Sequence, residues 1–230
     1  MIGLNAKLWF FIGFLGMTAA TIYPAYKYYQ TREKLNFYLS QIAITGIAMV
    51  AYLFMYLNIG IININGTEVA LTRYMDWLLT TPLMVATLAA LSKPGNETVV
   101  KLIVLDLLVM SVGILGPFVD FPMYWVLFGF GCICFAAMAY LIMGPISSGP
   151  GLENEAINML FVKLRNLTLV LWALYPLVVV LAPQALGLLN VEGQALVVSY
   201  LDIISKGVFV VIATKGAEKI DEISFSFTQK

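Results

Sequence analysis

The chain of 230 residues contains no histidine, which removes the commonest metal ligand and the usual near-neutral proton carrier. Cysteine is nearly absent as well. Cys132 and Cys134 stand two positions apart, where helical residues point to different faces, so they read as packing residues and cannot make a metal site alone. Charged residues make up only 11% of the chain, against about 25% in ordinary soluble domains, and this excludes a soluble globular protein. The 13 basic residues balance the 13 acidic ones and form no basic patch, so nucleic acid is not an expected partner. The strings "NGT", "NET" and "NLT" match the glycosylation pattern but read as chance, since Asn166 falls in an apolar span and Asn96 on the expected cytoplasmic side. No low-complexity tract and no linker to a second domain stand out.

What fills the chain instead is apolar: 61% of residues belong to the hydrophobic set and the mean hydropathy is +0.90. Crossing the hydrocarbon core of a bilayer takes about 20 apolar residues. Seven runs of that kind lie near 4–26, 37–59, 69–91, 99–118, 122–144, 157–182 and 195–217. The expected fold is therefore an all-α membrane protein, a bundle of seven transmembrane helices over residues 1–217, followed by a short cytoplasmic tail at 218–230. The first run lacks the basic leader and cleavage site of a signal peptide and is kept as a span. With the amino terminus outside, the inner loops and tail hold Lys27, Arg32, Lys34, Lys93, Lys101, Lys163, Arg165, Lys215, Lys219 and Lys230. The outer segments then hold only Lys7, and the positive-inside rule favours that orientation. Turn chemistry separates the spans, and the Asn-Gly of "IININGTE" suggests a small hairpin on the outer side.

Five ionisable residues remain inside the spans: Arg73, Asp76, Asp106, Asp202 and Lys206. Lys206 lies on the order of 16 Å from either end of its helix, too deep to snorkel to the surface. An ionised residue at that depth costs at least about 2.5 to 3.5 kcal/mol, so intramembrane charges are usually functional. One reading is a structural ion cluster that holds helices together. The other is a desolvated amine, nucleophilic toward an aldehyde, that forms a Schiff base and needs counter-charge. Asp202 lies one helical turn before Lys206, and Asp76 in "TRYMDWLLTTP" is at similar depth with Arg73 one turn outward. The set of Arg73, Asp76, Asp202 and Lys206 carries no net charge, as a low-dielectric site requires. Aromatic residues frame that depth: Trp77, Phe128, Phe135, Trp172 and Tyr175, with Gly113 leaving room beside them. Such a stripe is ordinary helix packing when alone; beside a midplane lysine it suits a flat apolar aldehyde.

In "RYMDWLLTTP", "RNLTLVLWALYP" and "LDIISK" the sequence resembles the microbial (type 1) rhodopsins, over essentially the whole chain. The resemblance implies a light receptor rather than an enzyme, with all-trans-retinal joined to Lys206 as a Schiff base and no metal. By the same resemblance Asp76 is the primary counterion and proton acceptor, Asp202 the second counterion, and Arg73 the arginine outward of them. Thr80 is expected beside Asp76, while Tyr52 and Tyr175 are expected to hydrogen-bond Asp202. Trp77, Gly113, Phe128, Trp172 and Tyr175 line the polyene, and Asp106 and Ser205 lie near its ring and its linkage.

Pumps of this family return the proton from an inner carboxylate on the third helix, a position occupied here by Thr87, and the outer release pair is matched by Gln184 and Gln194. "VLFGFGCICFAAMAYLIMGP" and "VKLRNLTLVLWALYP" resemble the phoborhodopsin type of sensory rhodopsin, with Phe128 where pumps usually have Trp. Ser205 stands where that branch typically has Thr, and Asp106 agrees better with the pumps. Two functions follow as expectations. The first is a cell-membrane photoreceptor in the lipid bilayer that signals through its sixth and seventh helices to a membrane transducer; the sequence leaves a homo-oligomer open. The second is a slow light-driven outward proton pump without a carboxylate donor. Light-gated conduction has no positive feature in the sequence.

Overall fold

The computed structural model describes residues 3–31, 34–64 and 66–220. Arg32 and Lys230 of the charge argument, Asn65 of the turn and residues 221–230 of the expected tail lie outside the described residues. Within them, seven spans are long and apolar enough to cross a membrane. The first five are α1 (Leu4–Gln30), α2 (Leu35–Tyr56), α3 (Leu71–Ser92), α4 (Asn96–Leu115) and α5 (Phe121–Met143). The Asn-Gly signal gives an antiparallel hairpin, β1 (Ile61–Ile64) with β2 (Thr67–Ala70), in which Ile61 pairs with Ala70 and Ile64 with Thr67. Gly66 supplies the positive φ of 85° that the turn needs, and its N–H donates to Asn63 Oδ1.

The last two spans are not single helices. The sixth is α6 (Glu155–Trp172), capped by the Asn154 side chain, followed by α7 (Leu174–Leu181). Pro176 accounts for the break, because it has no N–H to offer the Trp172 carbonyl four residues earlier and its ring crowds that carbonyl. The seventh is α8 (Val191–Asp202), a π-helical turn at Ile203–Val208, and α9 (Phe209–Glu218). The helix begins at Val191, so part of the link expected before residue 195 is helical, with Asn190 Oδ1 accepting from Gly193 N.

The third and seventh spans are the central ones, with 61% and 56% of their most apolar windows buried inside the bundle, against 17% for the fourth. That placement explains where the chain can carry charge: only a helix walled by other helices removes an ionised group from lipid. One large apolar cluster, including Phe37, Met84, Leu88, Phe161, Leu164 and Phe209, fills one half of the bundle, and a second, including Phe10, Met17, Tyr52 and Met55, joins the first and second spans. Near the hairpin-distal end the connector between α5 and α6 is anchored: the Ser92 hydroxyl donates to the Ile146 carbonyl and Arg165 donates to Ser147 Oγ at 2.9 Å.

Candidate functional site

Lys206 sits in the π turn, 2% exposed, with its Nζ 2.5 Å from Asp76 Oδ2 and 3.8 Å from Asp202 Oδ1. Both carboxylates are buried, so the amine is balanced at short range by one partner on α3 and one on its own span. Single-turn π segments are frequent at functional positions, and this one widens the helix at the residue that carries the amine.

The remaining lone pairs of the two carboxylates are satisfied by donors from three spans, the second, third and sixth. Thr80 Oγ1 lies 2.8 Å from the Asp76 carbonyl and 3.3 Å from Asp76 Oδ1, both of which can accept its proton. Asp202 accepts from Tyr52 on Oδ2 at 2.8 Å and from Tyr175 on Oδ1 at 2.7 Å. Trp77 Nε1 lies 3.2 Å from Asp202 Oδ1, a donor role beyond the polyene lining that the family resemblance implies. A carboxylate with three such donors is held as an acceptor in one orientation, and Tyr175 is fixed further by Ser205 Oγ at 3.1 Å.

Arg73 does not join this cluster directly. It is buried, its guanidinium carbon lies 5.7 Å from the centre of the Phe10 ring, and its Nε has no hydrogen-bond partner. Among the described residues no ion pair within 4.0 Å ties it to a carboxylate. The four-charge convergence expected from helical spacing is thus a three-charge cluster with the arginine set apart, because one turn along α3 separates Arg73 from Asp76.

Lys206 also lines a cavity walled by the third to seventh spans. Trp77, Gly113, Phe128, Trp172, Tyr175 and Ser205 all line it, as does Phe135. Tyr74, Thr81, Met138 and Pro176 line it too, and Cys132 faces it rather than serving only as packing. These last residues carry no chemistry that marks them in a sequence; only the packing of five helices selects them. Tyr52 and Asp106 are not in the wall. Tyr52 approaches Asp202 from the α2 side, while Asp106 stands behind the wall and accepts from Thr81 Oγ1 at 2.9 Å, leaving its Oδ1 unpartnered.

The cavity suits an apolar ligand: its wall is mostly aromatic and aliphatic, and Trp77, Tyr175, Asp202 and Ser205 are linked to one another by hydrogen bonds beside Lys206. An aldehyde entering it would meet one primary amine, with two carboxylates already in place to balance the cation that imine formation leaves.

A family model described as bacteriorhodopsin-like protein matches residues 5–220. The chain is 41% identical over 210 residues to sensory rhodopsin-2 of Haloarcula vallismortis, covering 89% of this chain and 88% of that one. It is 34% identical to sensory rhodopsin-2 of Natronomonas pharaonis, covering 94% and 90%. Among solved structures, a cyanorhodopsin from the cyanobacterium Calothrix sp. NIES-2098 superposes with a TM-score of 0.92 at 28% identity, covering 97% of this chain and all of that one. With seven spans, a buried lysine lining an apolar cavity and these relatives, the chain is a multi-pass cell-membrane protein that belongs to the bacteriorhodopsin-like family, the microbial rhodopsins.

Proposed function

We propose that the protein is a sensory photoreceptor that carries all-trans-retinal on Lys206 and signals to a membrane transducer through its sixth and seventh spans. The carrying observation is the Lys206 amine, buried in the wall of a largely apolar cavity with Asp76 Oδ2 at 2.5 Å and Asp202 Oδ1 at 3.8 Å. The family and the two sensory rhodopsin relatives support the same reading. When bound, retinal supplies absorption of visible light and a change of shape inside the cavity.

The chain's own residues then do the rest. Lys206 Nζ holds a proton, and Asp76 Oδ2 is the nearest acceptor for it. Asp202 is the poorer acceptor despite its charge, because Tyr52, Trp77 and Tyr175 already occupy its lone pairs. Proton transfer to Asp76 removes the ion pair between the third and seventh spans, and a local charge event of that kind biases a two-state packing of helices. The sixth span is jointed at Ala173, and the seventh carries a π turn at Lys206, so both have a place to bend. The Lys and Arg distribution supports an amino terminus on the outside and a cytoplasmic end near Ser92 and Arg165.

Thr87 supports sensing over pumping. It occupies the place where the pumps' donor carboxylate would stand, its hydroxyl donates to the Leu83 carbonyl at 2.9 Å, and Gln41 Nε2 donates to it at 3.1 Å. A hydroxyl in that position stores no proton at ordinary pH. The test is to illuminate cells containing the protein and follow external pH with and without a protonophore, together with the photocycle. The expected result is a cycle of seconds with no sustained acidification; steady acidification abolished by the protonophore would establish the pump instead.

A further inference from the structure

Among the described residues the first span contributes none to the cavity wall and no hydrogen bond to either carboxylate, yet one face of it is cut away where it meets the site. An added Cβ at Gly13 would clash with one edge of the Tyr52 ring, overlapping Cδ1 and Cε1 and lying 2.9 Å from Cγ. One turn on, an added Cβ at Gly16 would lie 2.8 Å from both Cδ1 and Cγ1 of Ile203, the first residue of the π turn. Real Cβ atoms essentially never come that close, so something would have to shift. The two cases differ in what can give way. Ile203 ends in a flexible chain, whereas Tyr52 is a rigid ring, wholly buried, with its hydroxyl committed to Asp202 Oδ2 at 2.8 Å.

We propose that Gly13 is a positioning residue of the light-absorbing site: the missing side chain on the first span sets the depth of the Tyr52 ring and so the Tyr52–Asp202 hydrogen bond. The route runs from the α1 backbone to the ring, from the ring's hydroxyl to the carboxylate, and from the carboxylate to the Lys206 amine 3.8 Å away. A methyl group at residue 13 pushes the ring by more than a few tenths of an ångström, and the hydroxyl carried with it leaves the distance and alignment on which its hydrogen bond depends. The carboxylate keeps Tyr175 and Trp77, so the site survives but its counter-charge is redistributed.

The inference rests on retinal being held at Lys206, and its test separates the two claims. The visible absorption maximum is compared for the wild type, Gly13→Ala, Tyr52→Phe, the double variant, and Gly46→Ala, a helical glycine whose added Cβ meets nothing within 4 Å. Tyr52→Phe, which keeps the ring and removes the donor, is expected to shift the maximum. Gly13→Ala is expected to shift it the same way by at least about half as much, and to add nothing in the Tyr52→Phe background, since two changes acting through one bond are not additive. Gly46→Ala is expected to leave it unmoved. An unshifted Gly13→Ala maximum, or full additivity with Tyr52→Phe, overturns the proposal. If Gly13→Ala yields no pigment, combining it with Tyr52→Leu is expected to restore one by removing the clashing ring, and failure to restore it counts against the proposal. A wild type with no visible band refutes retinal binding instead, and the same variants read by thermal unfolding then test the packing claim alone.

Discussion

At the residue scale, the site follows from what it costs to bury a charge. Lys206, Asp76 and Asp202 are each all but sealed from solvent, and a group left without its partner in such a place is strongly destabilising, by about 3 to 5 kcal/mol. Asp202→Leu is therefore expected to lower stability on that scale in the retinal-free protein, because it also strands the donors Tyr52, Tyr175 and Trp77. Thermal unfolding in detergent checks this; a change under about 1 kcal/mol would mean the three donors find other acceptors. Asp76→Asn keeps a side chain of the same shape beside Lys206 and is expected to bind retinal, absorb at a different wavelength and fail to accept the proton. A transient absorption experiment in which the deprotonated species still forms at the wild-type rate would remove Asp76 from that role. Lys206, Asp76 and Asp202 were legible because charge is rare in an apolar span, whereas the bonds of Tyr52 and Tyr175 to Asp202 followed only from the resemblance to the family. Trp77 as a donor to Asp202 was not, since nothing in "MDW" says where an indole N–H points.

The elements show which parts of the chain hydropathy can reveal. A run of apolar residues signals a span, and all seven are present with ends displaced by a few residues, as at Leu35–Tyr56 where the run suggested 37–59. The π turn at Ile203–Val208 leaves no comparable mark, because widening a helix over six residues changes no residue type. The joint after Trp172 has a cause in Pro176, yet Pro24 and Pro82 sit inside unbroken helices, so proline alone does not decide. Close helix contacts are similarly hidden. An added Cβ at Gly216 on α9 would overlap the Leu160 side chain on α6, with its Cγ at 2.9 Å. Gly216→Ala is expected to destabilise the protein by about 1 to 3 kcal/mol through overpacking between the sixth and seventh spans. Leu160→Ala in the same chain should recover part of that loss in thermal unfolding; no recovery would place the strain elsewhere.

For the whole molecule, the bundle divides its work between spans. The first two carry a supporting layer, Gly13 against Tyr52 and the Lys27–Glu218 ion pair at 2.5 Å that ties the end of the first span to the end of the seventh. The third and seventh hold Arg73, Asp76, Asp202 and Lys206, and the fourth to sixth complete the cavity wall, with Asp106 on the fourth behind it. Under the proposed function such a molecule would change shape where its joints are, in the sixth and seventh spans, while the first span keeps the counter-charge in register. The account stands on a covalent bond at one nitrogen. The direct measurement is to add all-trans-retinal to the purified chain, reduce with borohydride and map the modified peptide by mass spectrometry. The account predicts one retinyl group, located on Lys206, and no visible band or retinyl adduct in Lys206→Ala; a stable pigment whose reduced adduct sits on any other lysine, or that persists in Lys206→Ala, would contradict it.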